Sequence, residues 1–247
     1  MSHVGNLLVS KAKAGVRVIL MVWNEKLSTD ATPGGFMGTH DEATKTFFDG
    51  TDVHCILVGR QKDDGVLANQ FVSSCYTHHQ KTVICDAEVP NTDKRRVIAF
   101  IGGLDITSGR YDTPEYPLFK TIKNIHRGDF HSVNCPGATE DTGPRQPWHD
   151  NHAKVEGPAS IDILRNFEDR LRKQANEMQH KLLNLLEDEF VPFDTAPPIP
   201  NHEGGVWSLQ LFRSINSDSC HFDTRRRGCL HMKGIVIKTR LYLEALC

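Results

Sequence analysis

The sequence predicts an α/β fold in which helices cover a layered and mostly buried sheet. Two observations predict it: short apolar runs rich in β-branched residues alternate with segments of helical periodicity, and short polar turns separate them. The chain has 247 residues, 38% of them hydrophobic, which is enough for one sizeable domain or two small ones.

The first half of the chain supplies two helix-then-strand steps. Residues 6–14 read as a helix closed by Gly15, and residues 16–23 follow as a strand. Residues 39–48 read as a second helix with acidic residues in its first turn, residues 53–58 as a second strand, and residues 59–66 as a polar loop. Residues 81–85 and 96–101 are apolar runs separated by a turn-forming stretch, so we expect a β-hairpin there.

The second half is dominated by a long polar segment. Residues 108–158 are rich in Gly, Pro, Asp and His, and a connection of this length is usually functional or disordered. Residues 161–189 carry apolar residues at helical spacing and predict one or two amphipathic helices. Residues 192–205 then read as a linker, and residues 206–212 as a strand.

Charge and cysteine content narrow the class of protein. The formal net charge of -2 argues against a dedicated nucleic-acid binder, because such domains usually present a basic surface. Seven cysteines without a CxxC pair fit neither a disulfide framework nor a zinc site, so we expect reduced thiols and a cytoplasmic protein. The apolar run at residues 16–23 is far shorter than the roughly 20 residues of a membrane span.

One short motif contains candidate catalytic residues. His79 and Lys81 are two positions apart in an extended segment, so their side chains share one face, and Asp86 completes the pattern HxKxxxxD. A neutral imidazole can attack phosphorus, while an ammonium group neutralises the non-bridging oxygens. The carboxylate of Asp86 could fix the imidazole tautomer or balance its charge. We therefore expect phosphodiester chemistry through a covalent phosphohistidine.

Short sequence segments after the motif make its interpretation more specific. Residues 100–105 (FIGGLD), 109–114 (GRYDTP), 147–150 (PWHD), 156–158 (EGP), 166–168 (NFE) and 210–214 (QLFRS) resemble the plant-type phospholipase D family in order and spacing. The resemblance runs from about residue 6 to about residue 217. It implies a twin-lobed α-β-α sandwich with a mixed sheet, in which two HxKxxxxD motifs meet and one histidine becomes phosphatidylated.

The resemblance also assigns roles to individual residues. It implies that His79 is the catalytic histidine of the first lobe, Lys81 its phosphate binder, Asp86 its supporting acid, and Gln210 a contact of the phosphatidyl group. It implies calcium as a cofactor near His149. The family's second calcium-site histidine falls at Tyr116, where this chain departs from the pattern. Arg110 and Asp112 read as a structural ion pair more readily than as a phosphate clamp.

The resemblance further implies a truncated member of the family. A first catalytic lobe occupies residues 1–190, with active-site loops at 108–158 and a helical segment at 159–190, then a linker at 191–205 and an incomplete second lobe at 206–247. We expect the lipid-binding C2 domain of the family to be lacking. His231 and Lys233 repeat the HxK spacing as a possible remnant of the second motif, but Lys238 stands where the motif has Asp.

Three functions stay open at this point. The first is hydrolysis of the head-group phosphodiester of phospholipids, phosphatidylcholine to phosphatidic acid and choline, by a cytoplasmic protein peripheral at membranes. The second is a catalytically silent lobe that binds lipid or a partner carrying a second lobe. The third is a single-motif phosphodiesterase whose homodimer joins two copies of His79.

Overall fold

The computed structural model describes most of the first 182 residues and two short segments after them. The described residues are 3–25, 39–59, 78–106, 110–127, 129–130, 139, 143–145, 148–182, 209–215 and 219–220. They form an α/β fold with one parallel and one antiparallel sheet, which confirms the predicted fold class. The predicted linker at 191–205 lies outside the described residues, as does the polar loop at 59–66 except for Gly59.

The first unit is a pair of parallel strands covered by two helices. Helix α1 (Val4–Lys13) leads to strand β1 (Val18–Trp23), and helix α2 (Asp41–Phe48) leads to strand β2 (Val53–Val58). Strands β1 and β2 pair in parallel along their whole length. Gly15 adopts a φ of +88° in the turn after α1, a conformation that L side chains rarely adopt. Both predicted helix-then-strand steps are confirmed.

The second unit is a three-stranded antiparallel sheet in the order β3-β4-β5. Strands β3 (Lys81–Glu88) and β4 (Arg95–Gly102) form the predicted hairpin, and β5 (His152–Glu156) pairs with the other edge of β4. Strand β5 lies inside the segment predicted as loop from 108 to 158. It is only five residues long and lies in a segment rich in Gly, Pro, Asp and His, although polar and apolar residues alternate along it.

Helix α3 (Pro158–Gln174) packs across this sheet. Proline at its first position has no backbone N–H to leave unsatisfied, so it starts the helix at no cost in hydrogen bonds. The helix ends before the predicted residue 189 and continues as a 3₁₀ turn over Asn176–Lys181. Apolar side chains of α3 and β4, among them Ile163 and Ala99, form the core under the sheet.

The remaining observations concern the later segments and the class of protein. Residues 209–212 are not in a strand, contrary to the prediction for 206–212; Leu211 instead packs on the core between α3 and the sheet. No disulfide joins the described cysteines Cys55, Cys85 and Cys220 to one another. Within the described part of the chain, no helix is both long and apolar enough to cross a membrane.

Candidate active site

Three basic side chains, those of His79, Lys81 and Arg110, lie near the carboxylate of Asp105. Lys81 begins β3 opposite Gly102 at the end of β4, so the loop after β4 returns Asp105 to the start of β3. The Nζ atom of Lys81 lies 3.0 Å from Asp105 Oδ1, and Nε2 of His79 lies 3.8 Å from Asp105 Oδ2. The structure therefore brings the predicted pair His79 and Lys81 together, and it adds a carboxylate that the motif does not contain.

Two glycines allow this loop to approach its neighbours. A Cβ at Gly102 would collide with the backbone oxygen of Asn151, and one at Gly103 would collide with the side chain of Asp150. The backbone N–H of Gly103 donates to the oxygen of Asn151 at 3.0 Å. Close packing of the loop against the segment before β5 thus requires residues without side chains at both positions.

Arg110 is the third side chain that lies near Asp105. Its guanidinium lies 3.9 Å from Asp105 Oδ2, and its Cζ atom lies 3.1 Å from the centroid of the Trp148 ring. Stacking on an aromatic face holds the planar guanidinium in one orientation while its N–H groups keep their directions. The expected ion pair between Arg110 and Asp112 is not present, because Asp112 pairs with the buried Arg145 at 2.8 Å.

The surroundings favour the neutral form of the His79 imidazole. Burial lowers its pKa below the usual 6.5, and the charge of Lys81 lowers it further, with a smaller contribution from Arg110. Asp105 and Asp150 act in the opposite direction, since their negative charges favour the imidazolium. At pH 7 the ring is therefore mainly neutral, which is the form that a nucleophile needs.

Asp86 lies elsewhere, and the structure does not bring it to His79. It is five positions from Lys81, and because side chains alternate along a strand, an odd spacing puts the two on opposite faces of β3. The carboxylate of Asp86 instead pairs with Arg95, which lies at the start of β4. Asp105, which sequence reasoning missed, holds the position beside the imidazole; the Gly102 and Gly103 pair before it was the available signal.

A polar network lies behind the motif. The amide of Asn166 on α3 donates to Gln80 Oε1 at 2.9 Å, and Asn166 Oδ1 accepts from Arg213 at 2.8 Å. Arg213 also donates to Asp169 at 2.9 Å. The network ties residues 209–215 to the strand that carries the motif. Gln210, predicted to contact the phosphatidyl group, is exposed in the same segment.

The predicted calcium site does not fit the described residues. His149 stacks on Tyr116 with ring centroids 4.1 Å apart and planes 17° apart, so its face is occupied by an aromatic ring. No group of three or more His, Cys, Asp or Glu side chains that could hold a metal occurs among the described residues. Calcium takes six to eight oxygen ligands, and the described residues contain no acidic cluster that would supply the charged ones. His231, Lys233 and Lys238 lie outside the described residues.

Comparison with known proteins agrees with the sequence resemblance. The family model described as phospholipase D matches residues 1–246. Phospholipase D alpha 1 of Brassica oleracea var. capitata is 46% identical over 220 residues, covering 86% of this chain and 27% of that protein. Phospholipase D alpha 1 of Vigna unguiculata is also 46% identical over 220 residues, and phospholipase D alpha 2 of Arabidopsis thaliana is 45% identical over 219 residues, each with the same coverage. This chain thus spans roughly a quarter of the length of these relatives, and it belongs to the phospholipase D family.

Proposed function

We propose that this chain carries one half of a phospholipase D-type active site, which cleaves the head-group phosphodiester of a phospholipid. The observation that carries the proposal is the cluster of His79, Lys81 and Arg110 around Asp105. A nucleophile of lowered pKa and two cations within 4 Å of one carboxylate suit a reaction in which negative charge develops on phosphate oxygens.

The proposed reaction has two steps. In the first, a lone pair of the His79 imidazole attacks phosphorus, the bond between phosphorus and the head-group oxygen breaks, and that oxygen takes a proton from a general acid. In the second, a water molecule attacks phosphorus after losing a proton to the same group, and the bond between phosphorus and nitrogen breaks. Phosphatidic acid leaves, and the imidazole returns to its neutral form.

The side chains around the imidazole each have a distinct part in this reaction. Lys81 and Arg110 bind the non-bridging oxygens and neutralise the charge that develops on them. Asp105 stabilises the cationic ring of the covalent intermediate, since a histidine substituted on one nitrogen and protonated on the other carries a positive charge. The ring nitrogen that does not face Asp105 is the nucleophile.

The proposed reaction needs a second imidazole, which acts as the general acid while His79 acts as the nucleophile. Two sources are available to this chain: His231, the possible remnant of the second motif, and His79 of a second copy in a two-fold dimer. The substrate lies in a bilayer, so a protein with this activity acts at a membrane surface, in the cytoplasm if its thiols stay reduced.

The test is head-group release by the purified chain. We expect choline from phosphatidylcholine vesicles and, when a primary alcohol is added, the phosphatidyl alcohol, because a covalent intermediate can be captured by either acceptor. His79→Ala should reduce the rate by at least about 10³-fold. His180→Ala, at an exposed histidine of the 3₁₀ turn, is the matched control and should leave the rate unchanged.

The outcomes separate the candidate functions. An active dimer by molar mass supports a site shared between copies, and an active monomer supports His231 as the second histidine. A folded monomer that binds vesicles and releases no choline is the catalytically silent lobe, and it would overturn the proposed activity of this chain.

A further inference from the structure

The segment that follows Arg110 exposes an unusual number of large apolar side chains. In residues 118–127, here called the apolar turn, Phe119 is 59% exposed and Ile125 61%, and Leu118 is also exposed. Tyr111 before the turn is 58% exposed. Isolated apolar side chains on a surface need no explanation, whereas several of them in one short segment mark an interaction site.

Buried side chains and hydrogen bonds fix the backbone of the apolar turn. Ile122 and His126 are buried, and the ring of His126 hydrogen-bonds Thr121 at 2.8 Å. The backbone N–H of the fully buried Arg145 donates to the oxygen of Leu118 at 2.8 Å. Repeated turn hydrogen bonds run along the segment. The outward apolar side chains are thus presented by an ordered backbone with its own buried face.

Basic side chains alternate with the apolar ones. Lys120, Lys123 and Arg127 are exposed within the turn, and the nearest exposed carboxylate before it is Glu115. Phe119 beside Lys120, and Ile125 between Lys123 and Arg127, form a surface that is both apolar and positively charged. This combination complements an anionic lipid surface, in which apolar side chains enter the boundary of the acyl chains and cations remain among the head groups.

The apolar turn is connected to the cluster at Asp105. The side chain of Arg145 donates to the oxygen of Tyr111 at 3.0 Å and to that of Pro117 at 3.3 Å, so it fixes both ends of the segment leading into the turn. Arg110, the residue before Tyr111, contacts Asp105, which lies between two exposed apolar residues, Leu104 and Ile106. Arg145 and the segment from Arg110 to Pro117 thus connect the apolar turn to the cluster.

We propose that the apolar turn is the surface through which this chain docks onto an anionic phospholipid bilayer. The proposal deepens the function proposed above, whose substrate lies in a bilayer, and it rests on that function for its purpose. The docking itself is a binding event that needs no turnover, so the two can fail separately.

The experiment measures binding of the full chain to sedimented vesicles of phosphatidylcholine with and without phosphatidylserine. Phe119→Ser should weaken binding to the mixed vesicles about tenfold, because the variant has no phenylalanine side chain to transfer from water into the bilayer. Lys120→Glu should weaken it about fivefold or more, and this loss should shrink at high salt, whereas the loss in Phe119→Ser should persist. Urea unfolding checks that each variant is folded.

The matched control lies on helix α1, where Leu7 and Lys11 are also exposed. Leu7→Ser and Lys11→Glu should bind vesicles as the parent chain does. The proposal is overturned if they lose as much binding as the variants of the turn, or if Phe119→Ser and Lys120→Glu bind normally. A change in molar mass on Phe119→Ser, with vesicle binding intact, would instead make the turn a contact between two copies.

Two further measurements keep the proposals apart. His79→Ala should bind vesicles like the parent chain, because the turn does not include the imidazole. Hydrolysis of a soluble short-chain phosphodiester reports the chemistry without a membrane. Vesicle binding without any hydrolysis would overturn the proposed function and leave the proposed docking surface intact. Hydrolysis by the parent chain, together with normal vesicle binding by the turn variants, would support the proposed function and overturn the docking surface.

Discussion

Asp105→Asn removes the charge shared by the cluster while keeping the shape of the side chain. When His79 becomes cationic in the covalent intermediate, a carboxylate 3.8 Å from Nε2 attracts it. Coulomb's law gives about 1 kcal/mol for this distance in a water-like medium and about 4 kcal/mol at an effective dielectric constant of about 20. The His79 side chain is 38% exposed, so a value between these limits applies. About 2.7 kcal/mol corresponds to a rate loss of about 10²-fold.

The same substitution leaves Lys81 and Arg110 without the carboxylate that partly neutralises them. Their attraction for a phosphodiester rises, so we expect kcat to fall while KM stays the same or decreases. The pKa of His79 should also fall, because Asp105 favours the imidazolium. Steady-state kinetics of head-group release and an NMR titration of the imidazole measure the two effects independently.

Asp86→Asn is the matched control, since it makes the same chemical change within the motif. Asp86 pairs with Arg95 on a partly exposed face, and such pairs contribute about 1 kcal/mol or less to stability. We expect nearly normal kcat and an unchanged pKa of His79 in this variant. A larger loss of kcat in Asp86→Asn than in Asp105→Asn would refute the assignment of the supporting carboxylate.

Three other substitutions probe the cluster and its support. Lys81→Met should raise the pKa of His79, because Lys81 lowers it, and the acid limb of a pH–rate profile should move to higher pH; NMR titration checks the first effect. Arg145→Ala should lower the free energy of unfolding in urea by about 3–5 kcal/mol, since it leaves Asp112 charged and buried. Gly102→Ala should cost about 1–3 kcal/mol in the same measurement, because its Cβ collides with the backbone before β5; an unchanged midpoint would contradict the close approach.

The elements that could be predicted from the sequence are those whose apolar residues are buried in the core. Strand β2 (Val53–Val58) has the predicted bounds; its two end residues are buried valines, and the residues between them are mostly apolar. Strand β5 (His152–Glu156) was missed although polar and apolar residues alternate along it, because it is short and lies in a segment interpreted as a loop from its composition. Its pairing with the second edge of β4 is a long-range contact, which five residues of local pattern do not specify.

The alternation of side chains along a strand accounts for one part of the candidate site and not for the other. The spacing of His79 and Lys81 is even, and both side chains do reach one carboxylate. The spacing to Asp86 is odd, which by the same period-two rule puts it on the other face of the strand. The role of Asp86 was assigned from the chemistry of a carboxylate beside an imidazole and from the family resemblance, neither of which considers the face of the strand on which it lies. Asp105 is supplied by the return of the chain after β4, which only the hairpin register determines.

The charges around His79 bear on the proposal that this cluster is one half of a site. Those that act on its pKa come from Lys81, Asp105, Arg110 and Asp150. In the proposed reaction these side chains hold charge beside the ring and the phosphate, and a separate group protonates the leaving oxygen. A histidine with a pKa near 7 suits that task, which makes His231 and the His79 of a second copy the two groups whose removal a pH–rate profile should register as loss of its alkaline limb.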